Sequence, residues 1–321
     1  MKQKMYFFLL AISSVLLLAH CTRDLVLTPP DPVNEEVEAL SWTPDQGILK
    51  FLSDEDKQNA VAEDLEFIDR ILKNPKAEDL RSRGAETHIP AGSNNALAAA
   101  IAAAGVDDVI ILDAGDHKET ETVVINKKVQ IKGAAGANLI FSNIPASLDY
   151  VFKTAIHITS EGAGSSIKGI NFTDTDPIAG IAIFIDSTSK IKILQNTFSN
   201  WQGAVFAYSS SRVVITQNKI AASKAWQTGV IPESQGIVFS DGDHNSVVLN
   251  TITGGLFGIW TGGSLGLDFS NTTEECLYGQ ILCKVPPGFY TINNRTLQTQ
   301  GSSYDWKVKY NMSNNNIAAG Y

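Results

Sequence analysis

The chain has 321 residues, of which 44% are hydrophobic and 18% charged, with a formal net charge of −9. That length supports one long core or two small ones, and 25 glycines with only 3 methionines suit a turn-rich β protein better than a helical one. Residues 21–90 carry 16 acidic against 8 basic side chains, a net of −8, whereas the first twenty add +2 and residues 91–321 (18 against 15) add −3. The acidity argues against a nucleic-acid partner, which requires a basic face.

Residues 1–20 read as an export signal. Lys2 and Lys4 give a positive start, and Tyr6 to Ala19 is an apolar run too short for a stable membrane span. The run ends in Leu18-Ala19-His20-Cys21, which resembles a bacterial lipobox, with His20 standing where that pattern prefers a small residue. The resemblance implies cleavage before Cys21, lipid on that cysteine, and a protein tethered in the bacterial cell envelope, with the outer membrane as the expected site. Several acyl chains, at about 0.8 kcal/mol per buried CH₂, anchor a protein without a spanning helix.

Residues 21–90 form an acidic spacer. TPPDPVNEE is Pro-rich and charged, as a segment holding a domain off a membrane would be. A helix is expected from Asp54 to about Lys73: Ser53 can cap it, and Val61, Leu65, Ile68 and Leu72 fall at helical spacing. The pattern leaves open whether that helix packs on the following domain or stays solvated.

From residue 91 the composition changes. NNALAAAIAAAG is a short helix whose Leu97 and Ile101 need a surface to cover, and it runs into the alternating pairs Val109-Ile111, Val123-Ile125 and Val129-Ile131. Then one pattern recurs. GIAIFIDSTSKIKILQNTF starts at Gly180, GAVFAYSSSRVVITQNKI at Gly203, GIVFSDGDHNSVVLNTI at Gly236 and GIWTGG at Gly258. The closing residues Phe172, Phe198, Ile220 and Ile252 step by 26, 22 and 32, which describes a unit of about 22 residues with one ten-residue insertion. Stacked coils predict that Ile181, Ile183, Ile191 and Ile193 face inward and that Asn196, Asn218 and Asn250 form a ladder at equivalent turns. Phe172, Phe198, Phe206 and Phe239 are expected as a stacked core. Residues 264–306 break the rhythm and are expected as a long excursion. In an oxidising compartment Cys276 and Cys283, seven apart within it, are expected to close a disulfide, with two separate thiols as the alternative.

The stretch AAAIAAAGVDDVIILDAGDHKETETVVINKKVQIKG, followed by G-I-x-x-x and I-x-x-N-x-F repeats, resembles right-handed parallel β-helix proteins of the pectate-lyase-like superfamily. The resemblance covers about Asn94 to Gly263, and weakly the last residues, and implies an all-β solenoid with its N-terminal end plugged by a helix; the solenoid domain is expected over residues 91–321. It leaves function wide, since the superfamily includes polysaccharide lyases, glycoside hydrolases, esterases, epimerases and non-catalytic surface proteins.

Three constellations could carry chemistry. The insertion Ala221–Ser234 overhangs the turn shared with neighbouring coils, so Asp174, Asp176, Trp201, Lys224, Trp226 and Glu233 are expected to form a carbohydrate-binding rim, indole faces on sugar C–H surfaces and charges on hydroxyls. Asp241, Asp243 and His244 could supply acid/base groups or calcium oxygens, although Asp and Gly are also what a tight turn needs. Lys168, Lys190, Lys192 and Arg212 recur in successive coils and could face an acidic polysaccharide. Against a uronate lyase, the residues expected outward on the Gly-initiated strands, Ala182, Val205, Val238 and Trp260, are apolar. No metal site is expected, calcium being the one weak candidate. These readings make the protein an envelope lipoprotein that binds, and could process, a polysaccharide. A non-catalytic adhesion scaffold and a lyase or hydrolase are the alternatives, and whether it is an enzyme stays open.

Overall fold

The computed structural model describes residues 44–50, 52, 54, 57, 61–74, 84–144, 153–175, 180–224, 227, 234–276, 278–283, 290–292, 295–297, 301–304, 308–309, 312–313 and 318–320. Parallel strands wind into coils and stack as three columns of strands. The first column runs through Val123–Ile125, Thr154–Ile158, Ile181–Asp186, Gly203–Tyr208 and the first halves of Gln235–Val248 and Phe257–Phe269. The second runs from Glu86–Ile89 through Val109–Leu112, Gln130–Gly133, Ser166–Lys168, Lys192–Leu194 and Val214–Thr216 into the second halves of those two long strands. The third contains Gly115–Glu119, Ala137–Phe141, Asn171–Asp174, Thr197–Trp201, Lys219–Ala222, Thr251–Thr253 and Thr272–Glu274. This is an all-β parallel β-helix.

β-Branched side chains drive the winding, because they fit a pleated surface buried on one face. In the first stack Val123, Ile156, Ile183, Val205, Ile237 and Ile259 lie in register, all fully buried. In the third, Phe172 stacks on Phe198 with centroids 5.0 Å apart. Phe239 also belongs to this core, but Phe206 does not. The asparagine ladder forms as expected. The backbone N–H groups of Asn196, Asn218 and Asn250 donate to the side-chain oxygens of Asn218, Asn250 and Asn271, at 2.9, 3.0 and 2.8 Å. Each rung thus satisfies a buried amide of the next coil, which would otherwise be stranded away from water.

The described residues within 264–306 form strands that continue the coils, not an excursion. Tyr278–Cys283 pairs with the strand beginning at Phe257, Tyr290–Ile292 with its second half, and Arg295–Leu297 with Thr272–Glu274. The rhythm was hidden because the interior turns polar. Ile259 is followed in register by Gln280, Val247 by Asp268, and Ile252 by Thr273, all three polar side chains buried. Asp268 accepts hydrogen bonds from the Asn271 and Gln280 amides. The expected disulfide is also corrected: Cys276 is a free thiol packed into the core, with burial pushing it up to about 12.

Among the described residues, one helix covers a side of the solenoid and another caps its end. The first, α1 (Ala62–Lys73), packs Leu65, Phe67, Ile68, Ile71 and Leu72 against Leu194, Val214, Val248, Leu267 and Phe269 on the outer face of the second stack. It is a cover, not a solvated spacer. The second, α2 (Ala96–Ala103), sends Leu97 and Ile101 into the core at the N-terminal end. The buried Glu119 carboxylate accepts the Leu97 N–H at 2.9 Å, and its burial holds the carboxyl above the usual range. No helix among the described residues is long and apolar enough to cross a membrane.

Candidate functional site on the first strand stack

The outer surface of the first stack carries the most unusual side chains. Its outward column reads Val124, His157, Phe184, Phe206, Val238 and Trp260, in register across successive coils. The His157 imidazole stacks on Phe184 at 5.5 Å, and Phe184 meets Phe206 at 5.7 Å. His157, Phe184 and Val238 are buried within this column, while Phe206 and Trp260 remain half-buried. A Cβ at Gly262 would sit 2.5 Å from Trp260 Cη2, so the indole leans over a position that only glycine leaves vacant. Asp186 stands one step along, its Oδ2 3.6 Å from His157 Nε2. Burial lowers the His157 pKa, with Asp186 pulling the other way.

Beside this column lies a shallow groove lined by Ile181, Gln202, Gly203, Phe206, Gln235 and Val238. It exists because the parallel outward column reads Ile181, Gly203, Gln235, Phe257, with no side chain at the second position. Gln202 and Gln235 are half-buried, and their side-chain amides bond no other described residue. The groove can therefore offer an aromatic edge, aliphatic walls and two uncommitted amides, and its lining carries no charge.

These residues were missed in the sequence by one position. Reading all four repeats from a leading glycine puts Val205 level with Val238. The register instead pairs Val205 with Ile237 and Phe206 with Val238, because Gly203 matches Ile181, Gln235 and Phe257. Ala182 and Val205 are consequently core residues, and Phe184 and Phe206 take the outward places. Ile181 lines the groove and lies outside the core cluster. A signal was present: Phe184 and Phe206 are 22 residues apart, the period already set by Phe198 and Ile220.

Of the expected rim, the described residues Asp174 and Trp201 are buried and do not present an open surface. Trp201 is buried, edge-on to Phe141 with centroids 5.8 Å apart, because a bulge at Asn200 turns its indole into the core. Asp174 is buried too, in register with Phe141, and accepts the Gly180 N–H at 3.3 Å. Lys224 is held by Glu275 at 2.8 Å. Asp176, Trp226, Glu233 and Cys21 lie outside the described residues. Asp241, Asp243 and His244 form a turn: Asp241 and His244 have φ of 58° and 54°, and His244 Nδ1 meets Asp243 Oδ2 at 2.9 Å. The Asn245 side-chain oxygen accepts the Val213 N–H and its NH₂ donates to the Ser210 C=O, both at 2.9 Å, which ties this segment to the preceding coil. None of Asp241, Asp243 and His244 lines the groove, whose nearest lining residue on this strand, Val238, is about 10 Å from Asp241 at about 3.3 Å per residue. Two members of the basic column, Arg212 and Lys192, are likewise occupied. Arg212 grips Asp64 through two bonds of 2.9 Å and Glu63 through one of 2.8 Å, and Lys192 Nζ sits 3.5 Å over the Phe67 ring.

A family model described as right-handed beta helix region matches residues 108–274 and 154–320. The chain belongs to this family of right-handed parallel β-helix proteins. Among solved structures it is similar to the catalytic domain of a GH87 alpha-1,3-glucanase in complex with nigerose, at 11% identity and a TM-score of 0.53, over 72% of this chain and 45% of that one. It is also similar to the PL6 family alginate lyase AlyGC, at 13% identity and a TM-score of 0.42, over 74% and 38% of the two chains. A third is the pectin methylesterase from Aspergillus niger, at 14% identity and a TM-score of 0.37, over 71% and 85%. The chain thus spans less than half the length of the first two. No curated protein matches the sequence. At 11% identity the likeness to the glucanase domain shows the fold alone.

Proposed function

We propose that this protein binds a glycan chain laid along the outer face of the first stack, and that it does so tethered to the bacterial envelope through lipid on Cys21. The observation that carries the reading is the outward run of aromatic side chains that includes Phe184, Phe206 and Trp260, with a groove beside it whose two glutamine amides bond no other described residue. Aromatic faces stack on the C–H surfaces of sugar rings, amides bond their hydroxyls, and coils about 4.8 Å apart offer these contacts repeatedly along an extended chain. The similarly folded alpha-1,3-glucanase domain, in complex with nigerose, is compatible with this reading. Binding is favoured over uronate elimination, since neither the column nor the groove lining contains Arg or Lys to neutralise a carboxylate.

A glycan array tests the reading. The wild-type chain should retain a defined set of glycans, and Trp260→Ala and Phe206→Ala should each weaken retention about 3- to 10-fold, as loss of an aromatic contact does. A blank array, or variants that bind as the wild type does, would overturn it and leave the protein-binding scaffold. The tether is tested by Cys21→Ser, which should move the protein from the membrane to the soluble fraction.

A further inference from the structure

The groove over Gly203 points to a particular sugar substituent, and this inference rests on the glycan-binding reading above. We propose that the notch receives an acetamido group, so that the bound glycan contains N-acetylated hexosamine.

The notch is not required by the fold. A Cβ added at Gly236 or Gly258 would meet a backbone carbonyl oxygen at 2.4 or 2.5 Å, so those glycines serve close packing between coils. At Gly203 the only near neighbour among the described residues would be Ile181 Cγ1, at 3.3 Å, and its φ lies outside the left-handed range. Backbone and packing therefore leave room for a small side chain, and the missing one opens a gap one residue wide between Ile181 and Gln235. Ile181, Val238 and Phe206 make the gap apolar, and Gln202 and Gln235 stand at it with amides that bond no other described residue.

An acetamido group matches each part. Its methyl fills the aliphatic gap, its N–H donates to a glutamine carbonyl, and its C=O accepts from a glutamine NH₂. A hydroxyl in the same place would leave the apolar walls facing a polar atom. A carboxylate or sulfate would be desolvated with no cation in the lining to meet it.

The test uses the full chain and glycans printed in matched pairs that differ only in bearing acetamido or hydroxyl at C2. The acetamido member should bind about 10- to 100-fold tighter, the range of one well-filled apolar contact with its paired polar groups. Gly203→Leu fills the notch and should abolish that preference. Gln235→Leu, which leaves the notch open but removes one amide, should reduce it, with melting by circular dichroism confirming that both variants fold. Equal binding of the paired members, a preference for acidic sugars, or a preference that survives in a folded Gly203→Leu variant would overturn the acetamido assignment while leaving glycan binding intact. An array on which no glycan binds would overturn both readings together.

Discussion

The first and second strand stacks present equally apolar outer faces and treat them differently. On the second, Leu194, Val214, Val248, Leu267 and Phe269 are sealed beneath α1, and two of the four cations of the basic column, Arg212 and Lys192, are consumed in holding that helix. On the first, His157, Phe184, Phe206 and Val238 pack along their own column, and a groove remains where Gly203 lacks a side chain. An apolar sheet face is thus no evidence of a binding surface by itself. What separates the two is whether the chain supplies its own cover, together with the charge that pins the cover down.

The sharpest way to break that contrast is to loosen the cover. Ile68 is fully buried between α1 and the sheet, so Ile68→Ala should cost about 2–5 kcal/mol in urea unfolding. Should α1 instead be a passive appendage, the loss would stay below about 0.5 kcal/mol, the range of ordinary surface changes. Next comes the clamp. Arg212→Ala leaves Asp64, only 10% exposed, without its guanidinium, at a cost of about 1–3 kcal/mol, between the exposed and fully buried limits for such pairs. Glycan retention should be unchanged in both variants if they remain folded, because neither touches the first stack. On that stack the expected balance reverses. Gln202→Ala should shift stability by less than about 0.5 kcal/mol yet weaken glycan binding several-fold, read by melting and by the array on the same preparation. A loss of stability without a loss of binding there would make the groove a structural feature.

Much of this was legible in the chain and some was not, for physical reasons that differ by site. The solenoid could be read because its inward positions are β-branched and its turns hold asparagine at one period, so Asn196, Asn218 and Asn250 announce the coil directly. The cap could be read because Leu97 and Ile101 are apolar residues in a helix with nothing of its own to bury them. The coils after Phe257 could not, since Asp268, Thr273 and Gln280 occupy interior places where the pattern demands hydrophobes, and an alternation rule sees only a break. Trp201 failed for another reason: indole and carboxylate beside a turn look alike whether they face water or, after one bulged residue, the core. The groove depended on a single step in the alignment of Gly203, and in a strand one residue exchanges inside for outside.

The smallest predicted effect separates the two faces by pH. Burial keeps the His157 pKa below the ordinary 6.5, so the folded state resists its protonation. Stability from the neutral ring is therefore present above about 6.5 and declines as pH falls from there through the folded value. On the covered face Glu63 behaves as an acid whose pKa the Arg212 guanidinium lowers, so its contribution is present above about 4.5 and is lost below that. The windows do not coincide. His157→Phe keeps a ring against Phe184 and removes the titration, so the variant's urea midpoint should gain on the wild type between pH 7.5 and 5.5. Glu63→Gln should show no such gain over that interval, its difference from wild type shrinking only below about pH 4.5. A His157→Phe difference that stayed constant from pH 7.5 to 5.5 would mean that the imidazole is solvated, and that the first stack's column is looser than its packing distances indicate.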